Sequence, residues 1–239
     1  MVNIISSVLN VKVGNQEINQ HNTPTSTLLQ HIADALYSGS NLSYLTKIVL
    51  VDTSGNEKDS TTNLTFTVGD TLQVVGTITV TASYTVAYVR VYSGTNKYFE
   101  SSANFSVVSG EQVQITITVS LNITGSLSGA TFNIANLKTF IFKVLANQLA
   151  VSQLNIQYIV FNLTNFNSGE TADYQVTPSK SKPSNTQVSL TASYTPTYDW
   201  GLNAVKIRAT GGDLYYYTTS ITGTKNTTIT YSDTINVSS

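Results

Sequence analysis

The chain has no cysteine, one methionine, one tryptophan, two histidines and four prolines in 239 residues. Without thiols there are no disulfides and no thiolate nucleophile, and His21 and His31 by themselves cannot complete a zinc site. Charge is scarce too: Asp, Glu, Lys and Arg make up 10% of the residues, against roughly 25% in an average soluble domain. The 12 basic and 13 acidic side chains are spread evenly, so no patch of one sign exists to neutralise a phosphate backbone, and nucleic acid is not an expected partner. No apolar run reaches the roughly 18 residues of a membrane-spanning helix, so no membrane span is expected. The N-terminus lacks the basic and long apolar segments of a secretory signal. No Gly-x-Ser-x-Gly, phosphate-binding loop or metal-binding helix motif occurs. No catalytic residue, metal or cofactor is expected, and the chain reads as non-enzymatic.

Thr, Ser, Asn and Tyr fill the polar positions instead. Hydroxyls and amides do not titrate as pH falls, whereas carboxylates lose their charge near pH 4. An acid-tolerant component of an exposed particle or of the extracellular surface is the expectation.

Thr-Ala-Ser-Tyr-Thr occurs twice, at Thr81–Thr85 and Thr191–Thr195, and the surroundings run in parallel. Upstream of each copy lies an apolar strand pattern, Lys47–Val51 and Gln157–Phe161; downstream come Val89-Arg90-Val91 and Val205-Lys206-Ile207, then a Gly turn and a Tyr-rich strand. Repeats of this length are whole domains, so each half is expected to bury its own core. A helical apolar spacing precedes each set. In the first half it is Leu28, Leu29, Ile32, Ala35 and Leu36, with Thr25 or Ser26 as N-cap and Gly39 as stop. In the second it is Phe140, Ile141, Val144, Leu145 and Leu149 behind Asn136.

Period two follows, with turn signals every few residues. The first half predicts strands near 46–52, 63–68, 71–82, 87–93, 97–100, 104–108 and 112–121. The second predicts them near 156–164, 172–177, 186–195, 203–209, 213–220 and 227–237. The fold class expected is all-β: two tandem antiparallel β-sandwiches, jelly-roll or Ig-like, each preceded by one short amphipathic helix. The boundaries are an N-terminal arm over 1–22, a first sandwich over 23–124, a linker near 124–129 and a second sandwich over 130–239.

Two segments stand out as interaction candidates. The second half inserts Pro196-Thr-Tyr-Asp-Trp-Gly201 after its repeat copy, so Tyr198, Asp199 and Trp200 are candidate binding residues on a loop, with capping of the core as the plain alternative for Trp200. The strand pattern of Val8, Leu9, Val11 and Val13 belongs to neither repeat and is a candidate assembly strand that adds to a neighbour's sheet. Asp52-Thr-Ser-Gly-Asn-Glu57-Lys-Asp59 alternates oxygen ligands, but its glycine and glutamate are misplaced for a calcium loop, so it reads as a hairpin turn.

The order of helix, Leu45–Val51, a long alternating strand Val75–Tyr84, Tyr88–Ser93, an aromatic strand Lys97–Glu100 and a closing Val113–Val119 resembles a pattern in virion proteins of phages and archaeal viruses. The low charge and high Thr/Asn/Tyr content are also similar to structural proteins of viruses of hot acidic springs, including turret proteins built from tandem jelly rolls. That resemblance implies β-sandwiches that decorate or extend a particle as spike, turret or tail. It further implies other virion proteins as partners, homo-oligomers, and a host receptor or glycan against the distal sandwich. A cell-surface filament or adhesin subunit assembling by strand addition is the alternative.

Overall fold

The computed structural model describes residues 6–13, 16–125 and 127–238, with the backbone alone for Ser6, Ser7, Leu9, Gln16, His21 and Asn22. In the first half the order is β1 (Ser6–Val13), β2 (Gln16–Pro24), α1 (Ser26–Ser38), β3 (Lys47–Asp52), β4 (Glu57–Thr61), β5 (Leu64–Val68), β6 (Thr71–Thr79), β7 (Tyr84–Ser93), β8 (Asn96–Val107) and β9 (Gln112–Ser120). The second half runs β10 (Ala130–Ile134), α2 (Leu137–Leu145), a 3-10 turn at Val151–Leu154, β11 (Ile156–Asn165), β12 (Thr171–Val176), β13 (Ser179–Ser181), β14 (Gln187–Tyr194), β15 (Trp200–Ala209), β16 (Gly212–Gly223) and β17 (Ile229–Asn236). The described chain is thus all-β and sandwich-like, with antiparallel pairing throughout.

The strands of the first half connect as β4-β3-β7-β8-β2-β1-β9-β6-β5. β2 joins the two layers: it pairs with β1 along its length and, through Thr23 and Pro24, with β8. The second half forms a five-stranded sheet, β10-β16-β15-β11-β12, and a three-stranded one, β13-β14-β17. Two orders therefore repeat. β2-β8-β7-β3-β4 matches β10-β16-β15-β11-β12, and β9-β6-β5 matches β17-β14-β13, with a helix after the first strand of each set. Among the described strands, β1 alone has no counterpart in the second half.

Period two explains the pairing. In β9, Val113, Ile115, Ile117 and Val119 turn inward while Gln and Thr alternate outward, so a slip of one residue would reverse the whole face. β1 meets this strand over its full length and places Val11 and Val13 in the core. The segment expected to stand apart is therefore paired within the first half. Val8 is about half exposed, and the side chain of Leu9 lies outside the described residues.

α1 is capped as anticipated: Thr25 Oγ1 accepts the Leu28 N–H at 3.3 Å, and Gly39 closes the helix at φ 71°. A Cβ at Gly39 would also lie 3.0 Å from Ser152 Cα, so the glycine lets α1 approach the 3-10 turn of the other half. α2 ends at Leu145, earlier than its apolar spacing suggests, because Asn147 takes a left-handed conformation at φ 58°. Leu149 accordingly lies beyond the helix.

The expectation of two separate cores does not hold. One apolar cluster includes Leu28, Ile32 and Leu36 of α1 together with Ile141, Leu145, Leu154 and Ile156 of the second half. Polar bonds reinforce the junction. The Leu45 N–H donates to Leu145 C=O at 2.9 Å, Lys180 Nζ donates to Tyr37 C=O and to Ile156 C=O, and Lys182 pairs with the buried Asp34. The amphipathic helices expected to open each half instead fill the space between the halves.

The repeated pentapeptide also departs from expectation. Thr191–Tyr194 lie within β14 and Ala192 is buried, whereas β6 stops at Thr79 and Ala82 is exposed in the corner before β7. Asp59 makes that corner: its carboxylate accepts from the Thr81 N–H at 3.2 Å, the Thr81 hydroxyl at 2.7 Å and the Tyr84 hydroxyl at 2.9 Å. The second half has its extra residues after the repeat, so β14 continues and the chain turns later. β2, β4, β10 and β13 were not anticipated, β2 running across the boundary expected at 22–23, and β8 is one strand where two short ones were expected.

Candidate functional site

β15 begins at Trp200, which pairs across the sheet with Gly223 of β16. The indole occupies the space a side chain would need there: a Cβ at Gly223 would sit 2.2 Å from Trp200 Cζ2. Trp200 is 4% exposed, and its Nε1 is buried without a hydrogen-bond partner. Native proteins seldom leave a buried donor unpaired, because the desolvation cost of about 1–3 kcal/mol is not recovered. The indole lines a groove of about 310 Å³ whose walls include Leu127, Leu202, Ile221, Ile229 and Tyr231. Ile221 is about half exposed there.

The three loop residues singled out from sequence come together at one end of the second half but serve different neighbours. Asp199 is exposed; its Oδ1 accepts the Lys225 N–H at 2.7 Å and its carbonyl accepts the Phe166 N–H at 2.9 Å. Tyr198 is half-buried against Tyr174, which stacks on Tyr194 at 4.8 Å between ring centroids. Burial and then a hydrogen bond with Tyr174 push the Tyr198 phenol above its ordinary pKa. The loop is pinned from both sides, since the Asn226 N–H also donates to Pro196 C=O at 2.8 Å. Trp200 takes the packing role rather than an exposed one.

A second group, missed in the sequence, lies behind the groove. The hydroxyls of Tyr215 and Tyr217 on β16 and of Tyr231 on β17 donate to Asp233 Oδ2 at 3.1, 3.4 and 2.9 Å. Burial first, and the Asp233 charge with it, raise the pKa of all three phenols. They are held protonated as donors, which makes them a neutral shell for one carboxylate rather than bases or nucleophiles. The alternation of Tyr215 and Tyr217 puts both on one face of β16, and that spacing was the available signal.

β17 itself is an edge strand. The Val237 N–H donates to Thr186 C=O at 2.8 Å, which assigns the odd-numbered amides to the β14 side. Amides alternate along a strand, so those of Thr230, Ser232, Thr234 and Asn236 point to the other side, where none of the described strands pairs. The Thr234 N–H takes the Asp233 carboxylate at 2.8 Å instead. On the outer face a ladder of hydroxyls links β14 to β17 and continues past it: Ser189 to Thr234, Thr191 to Ser232, Ser193 to Thr230 and Thr195 to Thr228, at 3.0, 3.3, 2.9 and 2.8 Å.

The turn at Asp52 is the hairpin expected. Asp52 Oδ1 accepts the Ser54 and Asn56 N–H groups at 2.9 Å each. These bonds, the Asn56 one above all, hold its pKa at about 2. Among the described residues no group of three His, Asp or Glu side chains could hold a metal ion, and no helix is long and apolar enough to cross a membrane. No protein-family model matches the chain, and no curated protein or solved structure matches it significantly.

Proposed function

We propose that the chain is a non-enzymatic structural subunit of a virion, part of a capsid spike, turret or tail, built by duplication of one sandwich. The repeated strand order, with both helices wedged between the halves, is the observation that carries this reading. It gives a single stiff unit whose surface is mostly uncharged hydrogen-bonding groups, suited to packing against other particle proteins. The half bearing the Tyr198–Trp200 loop would be the one turned toward a host receptor or glycan.

The open edge of β17 beside the Trp200 groove favours a second reading, a cell-surface filament or adhesin subunit that assembles through sheet edges. Antibodies raised against the purified chain separate the two. Gold label on released particles supports the virion reading. Label confined to fibres on cells supports the filament, and label found only in the soluble lysate overturns both.

A further inference from the structure

We infer that β17 is a self-association edge, at which a second copy of this chain pairs antiparallel with β17 about a two-fold axis at Ser232. The inference rests on the edge itself and holds whichever assembly the chain serves.

Three observations carry it. First, the site is a place left open by the fold. β9, the counterpart of β17, has β6 on one side and β1 on the other, whereas among the described strands β17 has β14 alone. Second, the edge carries none of the devices that proteins use to block pairing. β4 has Glu57 and Lys58, and β13 is only three residues long with Lys180 in it. By contrast β17 has no lysine or proline, and its one charge, Asp233, is turned to three tyrosine hydroxyls. Third, the strand is self-complementary. Thr230 and Thr234 flank Ser232 at equal distance, so an antiparallel copy centred on Ser232 sets Thr230 against Thr234 and Ser232 against itself. These residues carry the outward-pointing amides. They also carry the hydroxyl ladder, which a second copy extends. Thr234 exchanges its bond to Asp233 for a carbonyl of the partner.

The apolar groove opens at the same edge, so the contact also shields Ile221 and the walls around Trp200. Eight residues of pairing make a small interface, and a micromolar or weaker dimer is the expectation. Edge pairing by β1 of another copy is disfavoured, because β1 is already paired on both sides.

The test is sedimentation of the full chain over a micromolar to near-millimolar concentration series. The wild type should pass from monomer to dimer. Ser232→Lys sets two like charges together at the axis and should weaken the dimer on the order of a hundredfold without changing the thermal melt. An equimolar mixture of the Ser232→Lys and Ser232→Glu chains should restore it as a heterodimer, a rescue that only a pairing of position 232 with itself produces. In a chain without other cysteines, Ser232→Cys should cross-link under mild oxidant. A wild type that stays monomeric throughout overturns the inference. So does an oligomer indifferent to Ser232→Lys, including one lost on removing residues 1–13, which would place assembly at the N-terminal strand. Neither result touches the virion reading, which the labelling experiment decides separately.

Discussion

The same three-strand order, β9-β6-β5 and β17-β14-β13, ends in one half under a covering strand and in the other half in the open. β9 is protected by β1, which the chain supplies before its first helix; β17 has no described strand in that place. What a sheet edge does is thus decided by segments outside the repeated unit. The first half spent its extra strand on closing a sandwich, and the second half kept an edge, a groove and a buried indole without a partner.

Proline substitution breaks the comparison most sharply. Thr116 in β9 lies between Asn10 of β1 and Val75 of β6, so either direction of its amide is in a ladder. Thr116→Pro should cost upward of about 3 kcal/mol in chemical denaturation. Ser232→Pro removes an amide that faces no strand and should stay within about 1 kcal/mol at concentrations where the chain is monomeric. Similar losses at the two sites would mean that β17 is covered after all.

Removing the indole should rank next. Trp200→Ala empties a buried site and is expected to cost about 3–5 kcal/mol, whereas Trp200→Phe keeps most of the packing and discards the unpaired N–H, for a net change under about 1.5 kcal/mol. Gly223→Ala pushes a methyl into the indole and should cost about 1–3 kcal/mol, with a shifted fluorescence maximum from this single tryptophan. If Trp200→Phe proves as damaging as Trp200→Ala, the Nε1 has a partner.

The two halves should also differ in pH dependence. Asp52, Glu57 and Glu100 of the first half are held below the ordinary carboxylate range, as are Asp34 at the junction and Asp173 of the second half. For Asp52 the bond from Asn56 leads, and for Glu57 the bond from Tyr92; for Glu100 the bonds and charges of Lys97 and Arg90 outweigh burial, and for Asp173 the bond from Asn162 does so together with Lys206 and Arg208. A carboxylate depressed in the folded chain stabilises it above the unfolded value near pH 4, and that contribution is lost as pH falls toward about 2. The melting temperature should therefore fall slightly below about pH 6.5, where His31, its pKa lowered by burial, takes up a proton, and decline more steeply below about pH 4.5, most through the first half. Low charge alone does not give a plateau down to pH 3, because the few carboxylates present are nearly all bonded. Tyr194, Tyr198, Tyr215, Tyr217 and Tyr231 have raised pKa values, chiefly through burial, and all lie in the second half; Tyr84 and Tyr92 are their counterparts in the first. Their contribution is complete below pH 10 and is lost above it. Tyrosine absorbance should show a delayed ionisation that coincides with unfolding; a smooth titration near pH 10 for every tyrosine would contradict the burial.

The strands with one buried face were legible because alternation is a consequence of burial, and β6, β9, β14 and β17 fall close to their sequence patterns. Of the unanticipated strands, β4, β10 and β13 are edge strands with little buried surface, so no apolar period marks them, and β2 lies between β1 and β8 but its sequence is almost wholly polar. The shared Thr-Ala-Ser-Tyr-Thr was a misleading guide to register, because Asp59 turns the first copy out of its strand through side-chain bonds that no local pattern announces. The shared core was hidden for a related reason: an amphipathic helix shows that it buries a face, but not against which half. At the candidate site, sequence drew attention to Trp200 and to the strand at Val8–Val13, yet their connection was not visible. The extra strand in the first half implies a missing one in the second, and the groove beside Trp200 lies at that gap.

Residue-resolved amide exchange on the dilute monomer tests this difference most directly. Every amide of β9 from Val113 to Ser120 should be protected, while in β17 protection should alternate, with the odd-numbered amides slow and those of Thr230, Ser232 and Asn236 fast. Uniform protection along β17 in the monomer, or alternating protection along β9, would contradict it.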